Sequence, residues 1–320
     1  MKFFAWLAAT IVLSAAAHAQ QNFPNRPLRM IVPWPPGQAT DLVGRVMALK
    51  MSEVLGQQIV IDNRAGAGGM IGTDVAAKAS PDGYTILAAS SGPVSINPLL
   101  QKAAYNPERE LAAVANVCIA PFLLVTNPQF PAANAREFIA LVKASPGKYS
   151  FASSGTGATA HLIAEWFNNL AGLQVTHVPY KGSVPALTDV ISSRIDYAFE
   201  TAASTLPHIK AGRLKTYGLS IGRTSTLAPG IEPLAVSANL PGFDAAAWIG
   251  VMVTAGTPAP IINRIAEAAN TAMQSPEVRE RLANVGVEVD YRRPEEFARY
   301  LKEQRARYVD IIKKGNIKVE

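Results

Sequence analysis

From Leu28 onward, short apolar segments of strand length alternate with longer segments of helical periodicity. That alternation restricts the chain to α/β folds built on mostly parallel sheets. Leu28 to Trp34 reads as a strand. Thr40 to Leu55 follows with apolar residues at helical spacing (Leu42, Val43, Val46, Met47, Met51, Val54, Leu55), and Gly56 ends it. Gln58 to Asp62 is a second strand, Gly66 to Gly72 a glycine-rich turn into a helix through Ala79, and Tyr84 to Ser90 a third strand. The pattern then restarts. Phe122 to Thr126, Tyr149 to Ser153, Gln174 to Tyr180, Asp196 to Glu200 and Leu214 to Ser220 read as strands. Between them lie helices at Ala135 to Ala144, from the Ser154-Gly155-Thr156-Gly157 turn through Leu170, and from Ser183 through Ser193. Residues 221 to 246 are loop-like, and Trp248 to Thr254 is a strand. Thr257-Pro258 and Ser275-Pro276-Glu277 predict helix starts with a capping hydroxyl and proline at the first helical position. Arg293-Pro294-Glu295-Glu296 opens the last helix.

The first residues stand apart from this pattern. Lys2, the apolar run Phe3 to Leu13 and Ala17-His18-Ala19 fit an export signal over residues 1–19, cleaved near Ala19. No later apolar stretch is long enough to span a bilayer. The expected product is therefore a protein of about 300 residues that is soluble after export, long enough for two domains. The formal net charge of +6 is mild. The densest basic stretch, Lys302 to Lys318, is interleaved with Glu303 and Asp310, which fits a solvated helix face and not a nucleic-acid surface. Cys118 is the single cysteine, so no internal disulfide forms, and it reads as a small buried hydrophobe. The histidines show neither paired helical spacing nor HExxH, so no metal and no cofactor are expected.

Three loops carry candidate chemistry. Pro33 to Asp41 joins a strand to a helix start, where free amides and the helix dipole suit an anion. Thr40 there is either a ligand contact or a cap, and Asp41 either a ligand contact or a helix-end stabiliser. Phe151 to His161 offers hydroxyls and amides at a second helix start, and Val178 to Ser183 places Lys181 and a hydroxyl at a third. The glycines Gly66, Gly68 and Gly72 have GxGxxxG spacing, and no acid ends the next strand, so a structural turn is favoured over a dinucleotide site. There is no GxSxG. Asp189, Asp196 and Glu200 are formal partners for His161 or His177, but spacing alone assembles no triad.

At these loops the chain resembles the Bug (TctC-like) family, periplasmic substrate-binding proteins of tripartite tricarboxylate transporters. The resemblance runs through Pro33–Asp41, Asp62–Gly72, Pro81–Thr85, Ile96-Asn97-Pro98, Ser153–Gly155 with His161-Leu162, His177–Ser183, Leu206–Gly212, Leu240–Phe243 and Ala255–Pro258. It implies a two-domain periplasmic binding protein fold (type II-like), each domain a mostly parallel sheet flanked by helices, joined by two crossover strands. One domain would comprise residues 20–123 and 247–320, the other 124–246. It further implies capture of a small organic carboxylate in the interdomain cleft, without catalysis, by a monomer that docks on membrane subunits of a transporter. A sensor fed by the same closed state, or a periplasmic hydrolase, is the alternative. Carried over, the first domain would contribute Trp34, Gly37, Gln38, Ala39, Thr40, Asp41, Ser90 and Ser91. The second would contribute Ser153, Ser154, Thr156, Thr159, Tyr180, Lys181, Gly182 and Glu200. Two residues depart from the family pattern. Gln38 stands where glycine is usual, and Glu200 where aspartate is frequent. Gln38 would narrow the carboxylate pocket or add a donor, and Glu200 would reach a ligand amine or crowd the cleft.

Overall fold

The computed structural model describes residues 23–315 and 317. The export-signal reading falls on residues outside these. Among the described residues ten strands form one continuous, curled assembly in the order β2-β1-β3-β9-β4-β7-β5-β6, with β10 and β8 also paired to β4. The first half holds β1 (Leu28–Val32), β2 (Ile59–Asn63) and β3 (Thr85–Ser90), all parallel. The second holds β5 (Ser150–Ser153), β6 (Thr176–Pro179) and β7 (Tyr197–Thr201), also parallel, with β8 (Lys215–Leu219) set against β4. Helices α1 (Ala39–Leu55), α2 (Met70–Ala77), α3 (Ala135–Lys143), α4 (Thr159–Ala171), α5 (Ser183–Ile191) and α6 (Ala202–Lys210) follow the strands they cover. α7 (Ala259–Gln274), α8 (Pro276–Asn284) and α9 (Pro294–Gly315) bring the chain back to the first half, with β10 (Glu288–Arg292) between α8 and α9.

Two antiparallel strands carry the chain between the halves. β9 (Ala246–Thr254) pairs β3 on one side and β4 on the other. β4 runs from Leu111 to Thr126, about 50 Å at ~3.3 Å per residue. Its first part, through Pro121, pairs β9, and from Phe122 onward it pairs β7 and β8. The sequence reading starts this strand only at Phe122. Pro121 looks like a break because it cannot donate to a ladder, yet it sits where the strand exchanges one set of partners for another. β10 also escapes that reading, because Glu288, Asp290 and Arg292 interrupt its apolar pattern.

Each half has its own core. The first is aliphatic, with Met30, Val32, Met47, Met51, Ile249, Val251 and Ile265 packed between sheet and helices. The second is aromatic: Phe138 stacks edge-on to Tyr197 at 5.2 Å, and Phe167, Phe199 and Phe243 complete it. A smaller cluster of Ile96, Leu162, Tyr308 and Ile311 joins α4 to α9 across the boundary. Two polar contacts tie the halves at the rear, Arg223 to Glu288 at 2.5 Å and Arg307 donating to the Asp244 carbonyl at 2.9 Å. Cys118 is fully buried and unpaired, and burial pushes its thiol pKa up.

Helix ends follow the sequence with two exceptions. Gly56 closes α1 in the left-handed region at φ 70°. The hydroxyls expected to cap α7 and α8 do not. Thr257 turns back to donate to the Thr254 carbonyl, leaving Pro258 as the capping residue, and Ser275 caps α8 without a side-chain bond. The glycine-rich turn is structural. A Cβ on Gly72 would lie 2.6 Å from the Arg64 carbonyl oxygen and 2.8 Å from the Cα of Pro33, so only glycine lets α2 pack under the first loop. Gly72→Ala should therefore destabilise the protein by ~1–3 kcal/mol, the usual effect of overpacking against unyielding backbone. Urea unfolding of the variant beside the parent checks this.

Candidate ligand-binding site

The loops after β1, β3, β5 and β6 and the end of β7 all open at the carboxyl ends of their strands, where open α/β sheets hold ligands. They enclose a cavity of about 350 Å³ between the halves. Trp34 to Thr40 and Ser90 to Gly92 form one wall. Ser154, Ala158 to Ala160, Lys181 to Pro185, Glu200, Thr201 and Ser204 form the other. Ala120, Phe122, Ala247 and Ile249 of the two crossover strands make an apolar floor.

The first loop is braced from behind. Asp41 is buried, and its carboxylate accepts from the Gly37 amide at 2.9 Å, the Asn63 side chain at 2.8 Å and the Arg45 guanidinium at 3.0 Å. Burial works against its charge, but these bonds prevail and hold its pKa below the usual value. Asn63 also donates to the Trp34 carbonyl at 3.0 Å, and Trp34 Nε1 donates to Ser90 Oγ at 2.9 Å. With the loop fixed, Gln38 is the N-cap of α1 in extended conformation, and its side chain makes no cap bond. The next two helices facing the cavity are alike. Ala158 caps α4 and Gly182 caps α5, neither with a side-chain bond. Three helix N-termini thus present backbone donors and positive dipole ends to one cavity.

The walls touch. Ser91 Oγ and Thr159 Oγ1 share a buried hydrogen bond of 2.9 Å. The Gln38 amide nitrogen lies 3.1 Å from where a Cβ on Gly182 would be, so its side chain spans the mouth. Gly157, at φ +75°, lies directly under Asn97, whose Oδ1 would be 2.2 Å from an added Cβ. Deep in the second wall Glu200 is 1% exposed. Its Oε2 accepts from Ser183 Oγ at 2.7 Å, and its Oε1 has no hydrogen-bond partner. Burial raises its pKa to about 7 against the partial help of the Ser183, Thr201 and Ser154 donors.

Of the residues expected from sequence, Trp34, Gly37, Gln38, Ala39, Thr40, Ser90, Ser91, Ser154, Thr159, Lys181, Gly182 and Glu200 all line the cavity. Thr40 lies one residue inside α1 and does not cap it. Four expected residues do not line the cavity. Asp41 is turned into the loop's own brace. Ser153 bonds His177 Nε2 at 2.7 Å and the Gly155 carbonyl, Thr156 is a half-buried turn residue, and the Tyr180 hydroxyl donates to Asp189 at 2.7 Å. The crossover-strand floor was not anticipated. Its residues read as ordinary strand hydrophobes, and no local signal marks the point where two sheets diverge.

His161 and His177, which sequence spacing leaves unpaired, come together in the structure. His161 and His177 stack at 3.9 Å between ring centroids, almost parallel, beneath the Ser153–Gly157 loop, with Phe151 against His177. His161 Nδ1 accepts from the Gly157 amide at 3.2 Å. Asp189, Asp196 and Glu200 bond Tyr180, Ser150 and Ser183 instead of either imidazole. Burial lowers the His161 pKa to about 3, with His177 adding to the effect, and lowers that of His177 to about 4. The unfolded chain takes up these protons near pH 6.5. The neutral pair therefore contributes stability that is complete above about pH 6.5 and is lost as pH falls toward 4. In thermal unfolding, the midpoint of the parent should fall more steeply over that interval than that of a His161→Gln, His177→Gln double variant.

Comparison with known proteins agrees with this architecture. Residues 43–317 match the model of the tripartite tricarboxylate transporter family receptor. Protein BugT of Bordetella pertussis is 35% identical over 308 residues, 96% of this chain and 94% of that protein. MatC from Rhodopseudomonas palustris, solved with bound malate, superposes with a TM-score of 0.83 at 30% identity, covering 91% of this chain and all of that one. A second R. palustris protein, solved with adipate, gives 0.84 at 27% identity, over 92% of this chain and 99% of that one. The chain belongs to the tripartite tricarboxylate transporter family receptors, the Bug/TctC group of two-domain periplasmic solute-binding proteins.

Proposed function

We propose that the protein captures a small organic carboxylate in the cleft and presents the closed form to the membrane subunits of a tripartite transporter, without chemical turnover. The observation that carries this reading is the convergence of three helix N-termini, none capped by a side chain, on one cavity closed from both sides. A carboxylate is the ligand group that best uses such donors. The malate and adipate held by two similar proteins support the ligand class. In this reading Ala39 and Thr40 offer amides and a hydroxyl from one wall, and Ser154 and Thr159 hydroxyls from the other. Trp34 and Phe122 cover the ligand's carbon skeleton. Residues 20–123 with 247–320, and 124–246, are the two bodies that close. Mature chains act as monomers in the periplasm after removal of residues 1–19.

Thermal unfolding against mono-, di- and tricarboxylates and uncharged amides tests the class. A ligand at 100 times its Kd stabilises by ~2.7 kcal/mol, and a response confined to neutral compounds would overturn the reading. For the site, Thr40→Ala combined with Ser154→Ala should weaken binding of the responsive carboxylate more than tenfold with the fold intact. Each charge-assisted bond of this kind contributes ~1.5–3 kcal/mol. Unchanged affinity by calorimetry would move the site elsewhere.

A further inference from the structure

The end of the cavity at β7 already contains an anion of the protein's own. Glu200 is the penultimate residue of β7, immediately before Thr201, which caps α6 and accepts from the Ser204 amide. Ser183, the first residue of α5, donates to Glu200 Oε2. The carboxyl group thus sits at the positive ends of two helices and takes the electrostatic position that a ligand's second carboxylate would otherwise use. Among the described residues no cation pairs with it. Lys181, the one basic residue lining the cavity, is exposed at the mouth. Oε1 remains without a hydrogen-bond partner, while Oε2 accepts from Ser183. A buried carboxyl oxygen with no donor carries a desolvation penalty, and that penalty is relieved by a ligand bringing an N–H or O–H to it.

Gln38, Ala39 and Thr40 at the start of α1 line the same cavity of about 350 Å³ as Glu200 and Ser183, which bonds Glu200. A small molecule held there has the α1 amides and Glu200 in one cavity lining. We infer that Glu200 sets the ligand class: the cleft takes an acid with a single carboxylate, docked at the α1 end, whose other end carries a hydrogen-bond donor such as an amide, ammonium or hydroxyl group. The inference rests on the carboxylate reading proposed above and narrows it. A dicarboxylate must either face the Glu200 carboxylate or force a proton onto it. A half-amide of the same shape meets the same oxygen with an N–H.

The test compares dicarboxylates with their own half-amides, succinate with succinamate, glutarate with glutaramate and adipate with adipamate, by calorimetry at pH 8. The parent protein should prefer the half-amide at least tenfold in the pair of best-fitting length. Glu200→Gln keeps the shape and the bond from Ser183, and it should bring that ratio to within about threefold, chiefly by tightening the dicarboxylate. Equal or tighter dicarboxylate binding by the parent overturns the inference while leaving the carboxylate reading intact, as does a ratio that Glu200→Gln leaves unmoved. If neither member of any pair binds while other carboxylates do, this inference fails alone; if only neutral compounds bind, the carboxylate reading fails and this one with it. Should the variant not fold, as judged by its unfolding transition, the ratio measured on the parent decides alone.

Discussion

The antiparallel ladder between β4 and β9 is the constraint on which the rest depends. β4 passes from one sheet to the other, exchanging partners at a proline that can donate to neither ladder, and β9 lies between its first part and β3. Each sheet then grows outward from this pair with its parallel strands aimed so that their carboxyl ends face one another. The loops at those ends have no choice but to meet, and the residues of the ladder itself become the floor on which they close. The placement of Phe122 and Ile249 under the cavity follows from topology and requires no special local sequence.

The parallel halves were legible because their physics is local. Apolar strand segments, helical periodicity and Gly or Pro punctuation specify β1–β3 with α1 and α2, and β5–β7 with α4 and α5, to within a few residues. The long crossover strand was not, because a proline that breaks a ladder and a proline that marks a change of ladder look alike in one dimension. β10 was hidden by its charges, which face Arg223 and Asn116 in the folded protein. At the site, the helix-terminal loops were legible because glycine, proline and hydroxyl residues at strand-to-helix junctions have few other uses. The division of labour within them was not. Asp41 and Thr40 are adjacent in the chain, yet one turns back to fix the loop and the other turns to the cavity. That choice is made by Asn63 and Arg45, one strand and one helical turn away.

The same division explains how a site built from loops stays preorganised. Asp41, Asn63 and Arg45 fix the first loop, and the stacked imidazoles with Phe151 support the loop after β5. Neither group is itself a cavity wall. The donors that face the cavity are mostly backbone amides at helix starts, which cannot rotate away, so little conformational freedom is lost when an anion arrives.

The contacts that join the halves differ in kind from front to back. Around the cavity they are neutral: a serine with a threonine, an asparagine beside a glycine, a glutamine amide against another glycine. At the rear, one is a full ion pair, Arg223 with Glu288. Dissolved salt screens the second kind and barely touches the first. For a member of a periplasmic solute-binding family, this means that ionic strength acts on the contact away from the cavity and leaves the contacts around the cavity almost unaltered.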